Sequence, residues 1–273
     1  FLEDKKTRHI IFQAYSSEAA ELAALLRKKL GENVSIYNVS HVSSSQLKYH
    51  FEIEMIKVVN EQIESGIINR RASVKPGGAD FLSKCNENLI YNCGPALVHR
   101  APEMASEFVF IPLENLFRKN LYTNLIAAVN SKHQMPIKMI NTPSFISDIL
   151  DISKVEIVPF LNREDMFSTL AGAQVVLNGS FAECQPMIHL ESIACGTPCL
   201  TGVLGLPVLR DLPLTRLTEV AAPDNSRLMT ERLDEVLDIR KNDAQKLRSM
   251  ISEYEAKALD LSLNSYKQLL DLT

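Results

Sequence analysis

The chain has no tryptophan among its 273 residues, and its apolar stretches are strand-sized. A bilayer-spanning helix needs about 20 consecutive apolar residues, so none is expected. Cysteine is sparse and badly spaced for chemistry: Cys85, Cys93, Cys184, Cys195 and Cys199 are an odd set without a C-x-x-C pair. That pattern excludes a zinc ribbon or a disulfide framework and reads as small buried hydrophobes in a reducing compartment. A cationic excess is missing too. With 29 Lys and Arg against 33 Asp and Glu, the net charge of −4 gives no global field for nucleic acid or anionic lipid. No Ser-His-Asp set, Walker lysine motif, G-x-G-x-x-G or H-E-x-x-H is present, and no repeat is visible. No signal peptide appears and the first residue is Phe1 rather than Met, so a cytoplasmic fragment or processed product is expected.

What is there is ordinary globular material, 46% hydrophobic and 23% charged, long enough for two modest α/β domains or one large one. Its most informative stretch begins at Asn178-Gly-Ser180 and runs to Gly202. Val175 to Leu177 is a short buried strand entering a loop. Pro186 suits a first helical position, where its missing N–H would have had no partner. Met187, Ile188, Leu190, Ile193 and Ala194 then follow helical spacing, and Gly196 offers a left-handed cap. Pro198 to Thr201 is another strand, followed by the glycine loop Gly202-Val-Leu-Gly205. Glu183 precedes the helix and Glu191 lies inside it. The helix mouth, with free N–H groups and the positive end of the macrodipole, suits a diphosphate. A carboxylate beside it would accept hydrogen bonds from sugar hydroxyls, so the arrangement suits a nucleotide sugar.

The rest of the chain alternates strand and helix. His9 to Ala14 reads as a strand, Ser16-Ser17 as a cap, and Ala20, Leu22, Ala23, Leu25, Leu26 and Leu30 as a helix that Gly31 stops. Val34 to Val39 is a second strand, and Phe51 to Ile63 has helical spacing. Residues 65 to 80, basic and glycine-rich, read as a mobile surface loop, with Arg70, Arg71 and Lys75 available to an acidic acceptor or a membrane headgroup. Leu89 to Asn92 is a strand before a linker at 96–106. Strands and helices from 107 to 210 imply a parallel sheet, and the tail is helical. The expected organisation is an N-terminal Rossmann-like part over 1–95, a donor domain over 107–240 and a helix over 241–273 packing back on the fold.

Glu183-x7-Glu191, followed by Ala194-Cys-Gly-Thr-Pro198 and the glycine loop, resembles the donor-site signature of retaining glycosyltransferases with the GT-B fold, of the large family that builds bacterial polysaccharides (family 4-like). The likeness extends over about 88 to 240 and is specific over 178 to 207. It implies two Rossmann-like domains with parallel sheets, the first short or truncated, and a helical C-terminal tail. By position it gives Glu183 the donor sugar and Glu191 the ribose hydroxyls, with the N–H groups of Gly202 to Gly205 on sugar or phosphate. Ser180 falls in the same donor loop, and Phe160 is placed near the nucleobase. Arg118 and Lys119, after the domain's first strand, would face the diphosphate at the sheet's carboxyl edge. Where the family usually has an arginine, this chain has Glu114. No metal or cofactor is expected beyond the nucleotide-diphosphate sugar itself, because basic residues and the helix dipole do that work.

The resulting expectation is a retaining glycosyltransferase acting on a glycan, lipid-linked or protein acceptor in a cleft facing the N-terminal part. Nucleic acid is not an expected partner, and a peripheral membrane contact stays open. The alternative is a GT-B-like subunit that binds without turnover, motivated by Glu114 and the short N-terminal part. His189, between the two glutamates on another helical face, reads as a satisfied buried histidine. His41, His50 and His99 are left as acceptor-side candidates that nothing local singles out.

Overall fold

In the computed structural model, residues 9–13, 15–96, 107–141, 143 and 146–271 are described. The chain divides into two compact units, one of 1–92 with 260–273 and the other of 93–259. The expected linker lies almost wholly outside the described residues.

The first unit is a parallel sheet in the order β1-β2-β3-β4. Strand β1, His9–Phe12, leads to helix α1, Ser17–Leu30, whose first turn is capped by the Ser16 hydroxyl accepting from Ala19 N–H. Gly31 ends α1 at φ 59°, a conformation open to glycine at little cost. Strand β2, Ser35–Ser40, and helix α2, His50–Glu64, follow. Ala23 and Leu26 of α1, Val59 of α2, and Val34 and Ile36 form one apolar core. Strand β3, Arg70–Ser73, and strand β4, Cys85–Leu89, complete the sheet.

The expectation of a mobile loop over residues 65 to 80 is therefore wrong. Strand β3 runs through it in register with β2, and Arg71 is 1% exposed. Arg70 is engaged as well, in an ion pair with Asp271 at 2.6 Å. Two adjacent arginines disguise a buried strand, because helical or alternating apolar spacing is the primary signal a single sequence gives.

The second unit holds a six-stranded parallel sheet, in the order β10-β9-β8-β5-β6-β7. Strand β5, Val109–Ile111, helix α3, Leu121–Asn130, strand β6, Ile137–Met139, and strand β7, Val155–Ile157, build outward to one edge. Helix α4, Arg163–Gly172, brings the chain back, its first turn capped by the Asn162 side chain accepting from Asp165 N–H. Strand β8, Val175–Asn178, then pairs with β5 rather than with β7. Helix α5, Met187–Ala194, strand β9, Cys199–Gly202, helix α6, Pro213–Thr218, and strand β10, Glu219–Val220, extend the sheet the other way. Helices α7, Ser226–Asn242, and α8, Ala244–Leu269, end the described chain. Strands β5, β8 and β9 are buried at every position, as expected of parallel strands covered on both faces.

This strand order has one reversal. From β5 the chain builds toward β7, then restarts at β8 on the other side of β5. Loops leaving the carboxyl ends of β5 and β8 diverge at that point, and open α/β sheets bind ligands in the crevice so formed.

None of the five cysteines forms a disulfide among the described residues; Cys195 and Cys199 are buried, whereas Cys85, Cys93 and Cys184 are only partly so. Burial pushes the Cys85 and Cys195 thiols up to about 11, which keeps them protonated and unreactive. No helix among the described residues is long and apolar enough to cross a membrane.

Candidate functional site

The two loops at the reversal are sewn together by backbone and amide groups. After β5 a 3-10 turn, Phe117–Lys119, ends at Asn120, which takes a left-handed conformation (φ 56°). The Asn120 side chain donates to the Gly179 carbonyl at 3.0 Å and the Pro223 carbonyl at 2.5 Å. Asn124, one turn on and fully buried, accepts from Gly179 N–H at 2.9 Å and donates to the Asn120 carbonyl at 2.7 Å. Phe181 N–H donates to the Arg118 carbonyl at 2.9 Å, and the Phe117 and Phe181 rings meet at 5.3 Å. Asn120 stands just before α3 and Asn124 is merely a polar residue on an apolar helical face, so neither signals this stitching, and the sequence reading missed both.

This stitching brings three of the expected site residues together. The Lys119 ammonium lies 2.5 Å from Glu183 Oε1, and an Arg118 guanidinium nitrogen lies 3.7 Å from the same oxygen. All three side chains are at least three-quarters buried, at 12–23% exposure. Arg118 Nε is buried with no partner among the described residues. The cluster thus keeps unused donor capacity beside a carboxylate, at the carboxyl edge of the sheet. Glu114, four residues before Arg118, is exposed.

The helix that follows has the expected frame. Pro186 is the N-cap of α5 rather than its first residue, and no side chain caps the helix mouth. Gly196 just past its end has φ 79°, the left-handed stop expected of it. Glu191 sits in the second turn, half-buried. Burial raises its pKa above the usual carboxylate range, while Arg163 at the start of α4 pulls the other way. Three residues before Arg163, Phe160 is 95% exposed. An aromatic ring left wholly in water at a strand's carboxyl end is available for stacking.

The small residues are placed more variously. Ser180 is 3% exposed, its hydroxyl turned to Asn178 Oδ1 at 3.4 Å, so its side chain faces inward. Gly202 ends β9 hard against that loop: a Cβ there would lie 2.3 Å from the Ser180 carbonyl. Gly205 has φ 70° with open space around it, so its need is conformational. Of the N–H groups in this loop, that of Leu204 already donates to Glu219 Oε1 at 3.1 Å. His189 is buried with Nε2 3.2 Å from the Tyr254 hydroxyl, and burial holds its pKa down to about 4. It is a packed, neutral histidine, as its sequence position indicated, but only half satisfied, since Nδ1 is buried with no partner among the described residues.

No protein-family profile matches the chain, and no curated protein resembles it in sequence. Solved structures do resemble it in shape. A UDP-forming alpha,alpha-trehalose-phosphate synthase from Burkholderia xenovorans superposes with TM-score 0.64 at 13% identity, over 97% of this chain and 73% of that one. Anabaena HepE, solved in complex with UDP, gives 0.63 at 13% identity, over 96% and 79%. A sucrose-phosphate synthase from Thermosynechococcus elongatus gives 0.58 at 14%, over 97% and 74%. The fold is GT-B. At such identities the likeness carries architecture alone, and the chemistry of this GT-B chain has to be argued from its own side chains.

Proposed function

We propose that this protein is a glycosyltransferase that takes a sugar from a nucleotide-diphosphate donor and passes it to an acceptor hydroxyl with retention of configuration. The observation that carries the reading is the meeting of Lys119, Arg118 and Glu183 at the reversal of the sheet, beside the uncapped mouth of α5. Two cations with spare donors, next to free helix N–H groups, suit a diphosphate. A carboxylate in the same cluster suits the hydroxyls of the attached sugar. UDP in Anabaena HepE, and the UDP-forming reaction of the trehalose-phosphate synthase, make such a donor a natural first candidate.

In this reading Glu191 accepts hydrogen bonds from the ribose hydroxyls, Phe160 stacks on the base, and the loop from Gly202 to Gly205 closes over sugar or phosphate. The acceptor oxygen bonds to the anomeric carbon on the face the diphosphate leaves. The carbon–oxygen bond to the diphosphate breaks, and the acceptor's proton passes to the departing phosphate oxygen. No protein nucleophile is required. Lys119, Arg118 and the helix mouth stabilise the charge growing on the diphosphate, so they bind the transition state better than the donor. No metal is assigned to that task.

The test is donor breakdown followed by NMR of the anomeric proton, first with water and then with sugar acceptors. Glu183→Gln and Lys119→Met should each lower turnover by about 10²–10³-fold, the usual effect of deleting one preorganised electrostatic group. The product should keep the donor's anomeric configuration. Inverted product, or full activity in both variants, would overturn the reading.

A further inference from the structure

The second unit contains a cavity of about 390 Å³ at the edge of its sheet opposite the loops of Arg118 and Glu183. Its walls come from segments that enter strands rather than leave them: Glu107 before β5, residues 133–136 before β6 and Gln174 before β8. Leu237, Arg240 and Lys241, from the last turns of α7, close it. Open α/β sheets take their substrates at the carboxyl ends of the strands, so a space at the amino ends needs its own explanation. Its volume falls within the roughly 300–1,000 Å³ of small-molecule sites.

Arg240 sets the chemistry of this space. It is half-buried, and among the described residues its guanidinium makes one hydrogen bond, to the Gln174 carbonyl at 2.6 Å. Burial lowers its pKa to about 10, which still leaves it charged at neutral pH. The charge it senses most is that of Arg248, which pushes it the same way. Arg248, in the second turn of α8, donates to the neutral Gln245 Oε1 at 3.0 and 3.2 Å. Lys241, next to Arg240, is exposed on the cavity wall. Cations near a helix C-terminus are ordinary, because they meet its free carbonyls. Here, however, one is drawn out of water beside a like charge, and buried charges are ordinarily paired.

The acids of this region do not supply that pairing. Asp238 is committed to Lys132 at 2.6 Å and to His133 at 3.2 Å, which also answers the histidine on the wall. Asp243, between α7 and α8, accepts from Lys246 N–H at 3.1 Å. Glu107 is the one carboxylate lining the cavity, and it is exposed. Three cations against one exposed carboxylate leave a surplus that a phosphate monoester, with about two negative charges, matches better than a carboxylate does. The cavity is larger than a bare ion needs, and Met135, Pro136 and Leu237 give it apolar surface for an organic body.

We propose that this cavity is a second ligand site, binding a small phosphate monoester with Arg240 as its principal counter-ion and Lys241 and Arg248 completing the charge. The assignment does not rest on the donor reading, since no residue of the Arg118 or Glu183 loops lines the cavity.

The test is calorimetric titration of the full chain with glycerol phosphate, hexose phosphates and phenyl phosphate, their parent alcohols, and inorganic phosphate. At least one ester should bind about tenfold to a hundredfold more tightly than its alcohol, the usual worth of a hydrogen-bonded charge. Arg240→Met should abolish that difference. Because this variant loses the bond between α7 and the start of β8 and can fail to fold, two exposed charge changes accompany it. Lys241→Glu should weaken the ester about fivefold or more at low salt, and Glu107→Gln should tighten it about twofold to fivefold. These opposite shifts place the ester here, because a molecule bound elsewhere would respond to neither. The proposal is overturned if no ester binds more tightly than its alcohol, if inorganic phosphate binds as tightly as the esters, or if both charge variants bind like the parent. Binding of UDP, read separately on the same samples, reports the other edge of the sheet, and its failure would count against the donor reading alone.

Discussion

His189 and Glu191 lie two positions apart on α5, and burial moves both pKa values toward the neutral form. For His189 the consequence for folding has a definite sign. In the unfolded chain the imidazole takes up a proton near pH 6.5, whereas in the fold it does so only near 4. Its contribution is therefore complete above about pH 6.5 and is lost as pH falls toward 4, amounting to about 2 kcal/mol at pH 5. His189→Gln should remove that sensitivity: urea unfolding at pH 7 and pH 5 should differ less in the variant than in the parent. Equal pH dependence would show that the imidazole is not held neutral. At this scale the sequence was informative about single residues and silent about pairs. Glu183, Glu191 and Lys119 are legible from their places beside strand and helix ends. That Lys119 closes on Glu183 across 64 residues is not, because it depends on the amide bonds of Asn120 and Asn124.

Among the elements, the strand–loop–helix–strand passage from β8 to β9 sits where apolar runs, Pro186 and Gly196 put it. Strand β3 escaped notice, and β4, Cys85–Leu89, lies earlier than the strand expected over Leu89 to Asn92, for one reason. Each is rich in polar residues, Arg70-Arg71 in one and Asn86-Glu87-Asn88 in the other, so neither shows an apolar pattern. Their place is set by pairing with a neighbour, which local pattern does not record. The two glycines at and after the end of β9 make a sharper test of how tightly these loops are packed. A methyl group at Gly202 would stand 2.3 Å from the Ser180 carbonyl, and backbone cannot swing aside as a side chain can. At Gly205 the same group meets nothing within 4 Å, only a left-handed φ of 70°. Gly205→Ala should therefore cost about 1–2 kcal/mol of stability, the conformational penalty alone. Gly202→Ala carries the strain of an overpacked contact, about 1–3 kcal/mol or more, and should also disturb the Ser180 loop. A larger loss at Gly205 than at Gly202 would contradict the packing described here.

Over the whole molecule, the two-unit α/β architecture was readable because alternating strands and helices leave few topologies open. The one reversal in the second sheet was not readable, since nothing local says that β8 pairs with β5. That reversal matters most for function, because it brings the Arg118–Lys119 turn and the Glu183 loop to one edge. We propose that this edge grips a nucleoside diphosphate through Lys119, Arg118 and Glu191. Its most direct test is a melting-temperature screen of the parent chain against UDP, GDP, ADP and their sugars. A ligand at about 100 times its Kd adds about 2.7 kcal/mol to the stability of the unit it binds. At least one nucleoside diphosphate should raise the melting temperature, with the rise lost in Glu191→Ala and kept in Glu183→Gln. A flat response to every nucleotide, or a rise that survives both Glu191→Ala and Lys119→Met, would contradict it.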